Sequence, residues 1–474
     1  MHSRLRPPVT RLAATGTLAA LAAAAACQSW RNHAGNVWHA AVAPVASQPL
    51  ERVRWSVRVD LVPPNAGGAL LAHYGSPLAT PGNTILVPVK TDSSGSFRVD
   101  ARRGRSGRLL WRVATDYVLP PHRWTPMLGC AITPGNAVAI PAAGGTVLLR
   151  GSADSATGPL RRIAFYGLPR FRDNPASFTE HVRICTPITA APDGSLYFGF
   201  RGTRGDPLQL ESGIVRIPAD GPAVRIAASD AAGDASIVRP LYNCAPALSR
   251  DGRLLYVAMT SRLDPGFGFG YLVALDSQTL APRFRARLKD ARNPDLDAWL
   301  PDDGTASPTV GPDGEVYFGV LENPFGSHNV RGWLLHFDRR LQTAKTPGSF
   351  GWDLSASVVP RAAVPSYTGS SAYLLLTKYN NYAGIGTGDG VNRMAVLDPH
   401  DSQRDAFSPV QVMREVLTIA APTPDEDHRA AGFPDAVTEW CVNTAAVDPR
   451  RTCALVNNED GVLYRWDFAT NTLS

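Results

Sequence analysis

The chain has 474 residues, and its formal net charge of +6 comes from 47 basic and 41 acidic side chains spread along the sequence. No basic cluster with interleaved aromatic residues stands out, so we expect no nucleic-acid partner. Forty-two Gly and forty Pro residues, set among short Tyr, Phe, Val and Leu runs, exclude a disordered chain and indicate an ordered one with many turns.

Residues 1–26 have the pattern of a secretory signal peptide. Three arginines precede fifteen apolar and small residues (Leu12 to Ala26), a run too short to span a bilayer. The small residues before Cys27 resemble a bacterial lipoprotein processing site, at which Cys27 becomes the acylated N-terminus; ordinary cleavage after Ala26 is the alternative. We therefore expect an exported protein, periplasmic or held at the outer membrane by a lipid anchor only.

A strand–turn–strand phrase then recurs seven times along one uninterrupted domain. Five copies turn on Pro-Gly-Asn or Asp-Gly, which supply the left-handed backbone of a tight hairpin. Apolar runs such as Leu196-Tyr197-Phe198 follow the turns and suit buried strands. Such self-similarity indicates stacked copies of one supersecondary unit. The copies begin at Ser76, Cys130, Thr186, Ala245, Ser307, Val364 and Asn443.

In several repeats a second hairpin follows, in which a strand ends in Asp and the carboxylate caps the turn. Two hairpins per repeat predict an all-β fold: a seven-bladed β-propeller of four-stranded antiparallel blades, over residues 51–474. The last repeat ends at Ser474, directly after the Asp467 turn. We therefore expect the N-terminal strand 52–61 to complete the last blade and close the ring; an eight-bladed ring is the alternative.

The segment Val99 to Trp111 resembles the repeat of the pyrroloquinoline-quinone (PQQ)-like propeller family. The lead-in, residues 27–50, is similar to that family's N-terminal segment, so the resemblance covers about Trp30 to Ser474 and implies an exported bacterial propeller. Most repeats here lack the second half of the family's repeat motif, Thr-Gly-x-x-x-Trp, which locks blades together in the family's cofactor-dependent enzymes. We therefore expect no cofactor, with PQQ or a divalent metal as the alternative.

Polar and aromatic residues precede the first strand of most repeats. In a propeller these connections border the central funnel, so they predict a ligand site at its mouth. Histidines with nearby carboxylates also suit a transition metal, whereas ordinary polar loops would need no ligand. The candidates are His73, Tyr74, His122, Trp124, His181, Arg183, Tyr242, Asn243, Asp302, Asp303, Glu439 and Trp440.

A second candidate site lies on the loop that contains Tyr379, Asn380, Asn381 and Asp389. Tyrosines flanking asparagines suit stacking and hydrogen bonding with a sugar or peptide. Ordinary turn chemistry is the alternative, since Asn tolerates left-handed backbone.

Export permits disulfides, and five cysteines follow Cys27. Cys441 and Cys453 flank the last turn and are the predicted pair. The pairing of Cys130, Cys185 and Cys244 stays open, because each begins a first strand in a different repeat. Burial as small hydrophobic side chains is the alternative for these three.

The leading functional hypothesis is a non-catalytic exported propeller that binds an envelope protein or a small ligand through one face. In its predicted fold and cellular location it resembles the propeller lipoproteins that scaffold outer-membrane protein assembly. The sequence contains none of the familiar catalytic motifs. A periplasmic quinone- or metal-dependent oxidoreductase is the first alternative. A glycan-binding or glycan-cleaving propeller is the second, although adjacent Asp302 and Asp303 would point to opposite sides of a strand.

Overall fold

A computed structural model describes residues 29–61, 65–66, 69–70, 75–92, 96–122, 128–302 and 306–474. Within these ranges no helix is long and apolar enough to cross a membrane. The described helices are short: Leu168–Asp173, Pro175–His181, Ala228–Ala232 and Glu426–Ala430, with 3-10 turns at Ala143–Gly145 and Arg361–Ala363. The following predictions fall outside the described residues: the signal peptide, Cys27, His73, Tyr74, Trp124 and Asp303.

Each repeat folds into one antiparallel sheet, and we number these sheets 1 to 7 in chain order. Sheet 1 contains Leu78–Ala79, Thr84–Lys90, Phe97–Arg103 and Leu109–Thr115. Sheet 2 contains Ala131–Ile132, Val138–Ala142, Thr146–Arg150 and Leu160–Ile163. Sheet 3 contains Thr189–Ala190, Leu196–Thr203, Glu211–Ile217 and Val224–Ala227, with Val182–Ile184 as an added strand. Sheet 4 contains Ala247–Leu248, Leu254–Thr260, Gly270–Asp276 and Pro282–Arg287, with Arg239–Pro240 added.

The last three sheets follow the same plan. Sheet 5 contains Thr309–Val310, Val316–Val320 and Trp333–Phe337, and bridges to Ala344 and Gly348 mark the place of its fourth strand. Sheet 6 contains Ser357–Pro360, Tyr373–Tyr379, Arg393–Arg404 and Gln411–Ala420. Sheet 7 contains Ala446–Asp448, Cys453–Asn457, Leu463–Asp467 and Thr472–Leu473. A small hairpin pairs Asn65–Ala66 with Ala69–Leu70, and a separate two-stranded antiparallel sheet pairs Phe267–Gly268 with Leu300–Pro301.

Local sequence explains the hairpins. In the Asp-Gly turns the glycine has a positive φ, +85° at Gly194 and +90° at Gly314. In the Pro-Gly-Asn turns the asparagine takes that role, with φ of 59° at Asn83 and 61° at Asn136. The predicted capping by strand-terminal aspartates is also confirmed, since Asp276 Oδ1 accepts bonds from the next turn's backbone N–H groups.

The hydrophobic core lies between neighbouring sheets, in clusters that join sheets 1–3, 3–5, 5–6 and 6–7. The recurring tyrosine of the repeat adds a polar link across these interfaces. Tyr197 donates to the Ser277 carbonyl at 2.8 Å and Tyr256 to the Arg339 carbonyl at 2.7 Å, each in the next sheet's last turn. The fold is therefore an all-β propeller whose sheets are locked by packing and by tyrosine hydroxyls.

Residues 30–43, which we call the axial segment, bond to the innermost strand of every sheet in turn. Its partners, in order along the segment, are Ala79, Ile132, Ala190, Leu248, Val310, Val358 and Val447. Most of these partners lie next to the hairpin turn that follows the innermost strand, so the axial segment circles the axis near that end. We call this the turn end, and the opposite end the mouth.

The expected ring closure by strand 52–61 is wrong. Sheet 7 already has four strands of its own, because Thr472–Leu473 pairs with Trp466 and Asp467. Residues 44–61 instead run from sheet 7 to sheet 1: the Ser47 N–H bonds to Asp448, Trp55 Nε1 donates to the Gly104 carbonyl at 2.8 Å, and Asp60 pairs with Lys90. The segment therefore spans the seam between the last and first sheets without forming a strand of either.

Candidate functional site

The mouth is a ring of short polar residues directly before the innermost strands. The Ala245 N–H donates to Ser307 Oγ at 2.9 Å, the Ser307 N–H to Ser355 Oγ at 3.0 Å, and the Ser355 N–H to the Asn443 carbonyl at 3.0 Å. Asn243, a predicted candidate, bonds in the same way to the Cys185 carbonyl at 3.0 Å. These bonds link consecutive sheets 3 to 7 and fix the width of the opening.

Two histidines of the axial segment lie beneath this ring. His39 Nδ1 is 2.7 Å from the Pro308 carbonyl and His33 Nε2 is 3.3 Å from Ser355 Oγ. The rings meet edge to face with centroids 5.0 Å apart. Burial lowers the pKa of His33 to about 4 and that of His39 well below its usual value, so both imidazoles are neutral at physiological pH.

Three arginines and a tyrosine gather at the mouth of sheets 3 and 4. Arg183 and Arg201 lie directly opposite each other on paired strands. Arg239 stacks over Tyr242, with its guanidinium carbon 3.7 Å from the ring centroid, and forms a buried ion pair with Asp302 at 2.5 Å. The structure thus brings together three predicted candidates, Arg183, Tyr242 and Asp302.

A cleft of about 440 Å³ opens beside this group. His122, another predicted candidate, lines it together with Tyr117 and Arg183. The His122 ring bonds to the Pro120 carbonyl at 2.9 Å. His181 lies apart from the cleft lining, since its Nδ1 bonds to Thr203 Oγ1 at 2.8 Å.

The remaining predicted residues meet on the other side of the mouth. The Asn380 amide bonds to both backbone groups of Trp440, at 3.2 Å from its N–H and 3.3 Å to its carbonyl. Burial, followed by the negative charge of Glu459, raises the pKa of Glu439 to about 7. The two predicted sites therefore touch through Asn380 and Trp440, whose side chains are both buried.

The loop candidates themselves are mostly internal. Tyr379, Asn380 and Asn381 are buried, and Asn381 Nδ2 bonds to Asp389 Oδ1 at 2.6 Å. Of the four, only Asp389 is exposed. The asparagines hold the loop together, which agrees with the turn-chemistry alternative.

The predicted Cys441–Cys453 disulfide is wrong, since both thiols are free. Asn457 Nδ2 donates to the Cys441 carbonyl at 2.7 Å, which places Cys441 at the far end of the strand Cys453–Asn457 from Cys453. Four residues of strand span about 13 Å, well beyond the Cα separation that a disulfide allows. Cys130, Cys185 and Cys244 are free and buried, which agrees with the small-hydrophobe alternative.

In the part of the chain that the structure describes, one group of His and carboxylate side chains could approach a single metal ion: Asp313, Glu315 and His400. It lies at the turn end, away from the predicted mouth residues. Glu315 already bonds to the Lys345 ammonium and, at 2.5 Å, to His336 Nε2. The carboxylate is thus engaged by cationic and N–H donors rather than open to a metal.

Three comparisons place the fold among known proteins. No protein-family model and no curated protein matches the chain. Among solved structures it is similar to a europium-containing methanol dehydrogenase (TM-score 0.56, 11% identity, 94% of this chain and 84% of that chain covered). It is also similar to the quinohemoprotein alcohol dehydrogenase from Comamonas testosteroni (TM-score 0.52, 11% identity, 96% and 76% covered) and to BamB from Moraxella catarrhalis (TM-score 0.44, 15% identity, 85% and 86% covered).

The two dehydrogenases support a propeller of the PQQ-like kind, and at these identities they show the fold alone. The name of the first includes a metal, europium, and the name of the second implies a quinone and a haem. Three acid groups at the mouth do not fit a metal, because Asp302 pairs with Arg239, Asp353 pairs with Lys378 at 2.8 Å, and the raised pKa of Glu439 favours its protonated form. We therefore derive no chemistry through a quinone.

Two features of the site escaped prediction. Arg201 and Arg239 lie within strands, outside the connections from which candidates were chosen. The sequence did contain a signal for Arg201, because a charged residue directly follows the apolar run Leu196–Phe200 on the same strand. An exposed aromatic patch beside the mouth was also missed, although Phe267 lies in the Gly-rich phrase Gly266–Gly270.

Proposed function

We propose that the protein is an exported, non-catalytic propeller that binds another protein of the cell envelope at its mouth. The observation that carries this proposal is an apolar patch on the mouth loops of sheets 4 and 5. Phe325 is 57% exposed, and Leu263, Phe267 and Leu296 are each 40–42% exposed. Contiguous exposed apolar side chains on a monomer are typical of interaction sites.

The patch is held in place before any partner arrives. Pairing of Phe267–Gly268 with Leu300–Pro301 fixes Phe267, whose ring centroid lies 6.3 Å from those of both Phe325 and Trp299. Trp299 is itself anchored by two backbone bonds to Leu321, each 3.0 Å long. A preorganised aromatic surface loses little side-chain entropy on binding, which favours tight association.

The patch adjoins polar residues of the mouth. The Leu263 carbonyl accepts a bond from Arg239 Nε at 3.0 Å, so the patch adjoins the arginine group of the mouth. Aromatic side chains such as the exposed Phe267 and Phe325 are enriched at protein interfaces. Export of the chain rests on its signal-peptide pattern, and a protein partner in the envelope follows from that location.

The test compares surface variants of the mature chain. Phe267→Ser with Phe325→Ser should abolish recovery of a specific envelope protein in cross-linking pulldowns, and should weaken binding of that purified protein at least tenfold. Leu160→Ser is the matched control, because Leu160 is 51% exposed on the outer strand of sheet 2. Equal recovery by both variants, or alcohol oxidation by the purified protein, would refute the proposal.

A further inference from the structure

Two arginines at the mouth face each other, and the described part of the chain places no buried carboxylate within ion-pair distance of either. Arg183 and Arg201 are cross-strand partners in sheet 3, so their side chains share one face of the sheet. Like charges in this position repel, and the only carboxylate of the described residues within ion-pair distance of either is Asp264, at 3.3 Å from Arg201. That carboxylate is 75% exposed and is therefore largely screened by solvent.

A buried hydroxyl adds a donor to the same place. Tyr242 is 2% exposed, and its hydroxyl has no hydrogen-bond partner among the described residues. Arg183 Nε and Arg201 Nε are likewise buried and unpartnered. An unpaired buried polar group is costly, so three together at one opening indicate a missing acceptor.

The third arginine adds no unpaired charge to this group. Arg239 is neutralised by Asp302 and covers the face of Tyr242, which fixes the direction of the tyrosine ring. The positive charge of Arg201 further lowers the pKa of Arg183, whose shift is due first to burial. The pair therefore carries an excess of positive charge beside the buried Tyr242 hydroxyl.

We propose that an oxyanion, a carboxylate or a phosphate, binds between Arg183, Arg201 and the Tyr242 hydroxyl. Guanidinium groups present paired N–H donors that match the oxygens of either anion, and the phenol donates a further bond. The cleft beside Tyr117 and His122 gives the anion a path from solvent. This inference does not depend on the proposed protein partner, because a free anion would fill the site equally well.

Calorimetry on the mature chain tests the site, with inorganic phosphate and succinate as separate probes. We expect saturable binding of one anion per chain, weakened roughly tenfold by Arg201→Gln and several-fold by Tyr242→Phe. Arg225→Gln is the control, since Arg225 is exposed on the outer strand of sheet 3, and should bind like the unchanged protein. Binding of only one probe identifies the source of the oxyanion.

Tyr242→Phe keeps the inference testable if the arginine variant folds poorly. It removes a hydroxyl that has no partner among the described residues, so the thermal midpoint should stay the same or rise while anion affinity falls. No saturable binding of either probe, or unchanged binding in Tyr242→Phe and Arg201→Gln, would overturn the proposal. Loss of anion binding with intact recovery of the envelope partner would separate this site from the apolar patch.

Discussion

The axial segment should contribute stability far out of proportion to its length, and Asn32→Ala tests this at one residue. The Asn32 amide accepts from the Ala190 N–H at 2.8 Å and donates to the Ala190 carbonyl at 3.2 Å. Asn32 is 3% exposed, so its removal leaves two buried backbone groups of sheet 3 without partners. At about 1–3 kcal/mol for each unsatisfied group, the free energy of unfolding should fall by about 2–6 kcal/mol.

Chemical denaturation followed by tryptophan fluorescence measures the effect. Asn174→Ala is the matched control, because Asn174 is exposed and its side chain makes no capping bond. Surface substitutions of this kind usually change stability by less than about 0.5 kcal/mol. If Asn32→Ala unfolded at the same denaturant concentration as the control, the axial segment would not hold the innermost strands as the hydrogen bonds indicate.

Three further outcomes follow from single contacts. Tyr256→Phe removes the bond to the Arg339 carbonyl and should cost about 1 kcal/mol in a denaturant melt, with m unchanged. The raised pKa of Glu439 means that the folded state binds its proton more tightly, so stability should fall as pH rises from about 4.5 to about 7, and Glu439→Gln should remove this slope in melts at several pH values. Cys441 is exposed and free, but its pKa is raised to about 11, so a thiol reagent should label it in the folded protein slowly at neutral pH and faster as pH rises, whereas mass spectrometry should find the buried cysteines of the described residues labelled only after unfolding.

The fold was predictable where local chemistry decides it. Hairpin turns at Gly194 and Asn83 need left-handed backbone, and the strands between the turns need apolar side chains. Turns and strands can therefore both be predicted from the sequence. Ring closure could not be predicted, because the sequence of a strand-like segment does not determine which sheet edge it pairs with. The segment 52–61 alternates Val and Trp with Arg, as a strand would, but its pairing depends on which sheet edge is open. In sheet 7 the position of the fourth strand is occupied by Thr472–Leu473.

The site was predictable by position and not by partner. Connections between repeats border the mouth, which is why Arg183 and Tyr242 were among the predicted candidates. The path of the axial segment was not predicted, because His33 and His39 lie in a stretch without regular periodicity. Its left-handed residues Ala34, His39 and Ala41 satisfy the geometry of a ring, a constraint that only the assembled sheets impose.

The path of the axial segment also decides which face would meet a membrane. Trp30 pairs with Ala79 beside the first turn, and Arg31 Nη1 donates to the Thr133 carbonyl in the second turn at 3.0 Å, so the chain enters at the turn end. Cys27 precedes Ser29 by two residues, which span at most about 7 Å. A lipid on Cys27 would therefore hold the turn end at the bilayer and direct the mouth, with its arginines and aromatic patch, away from it.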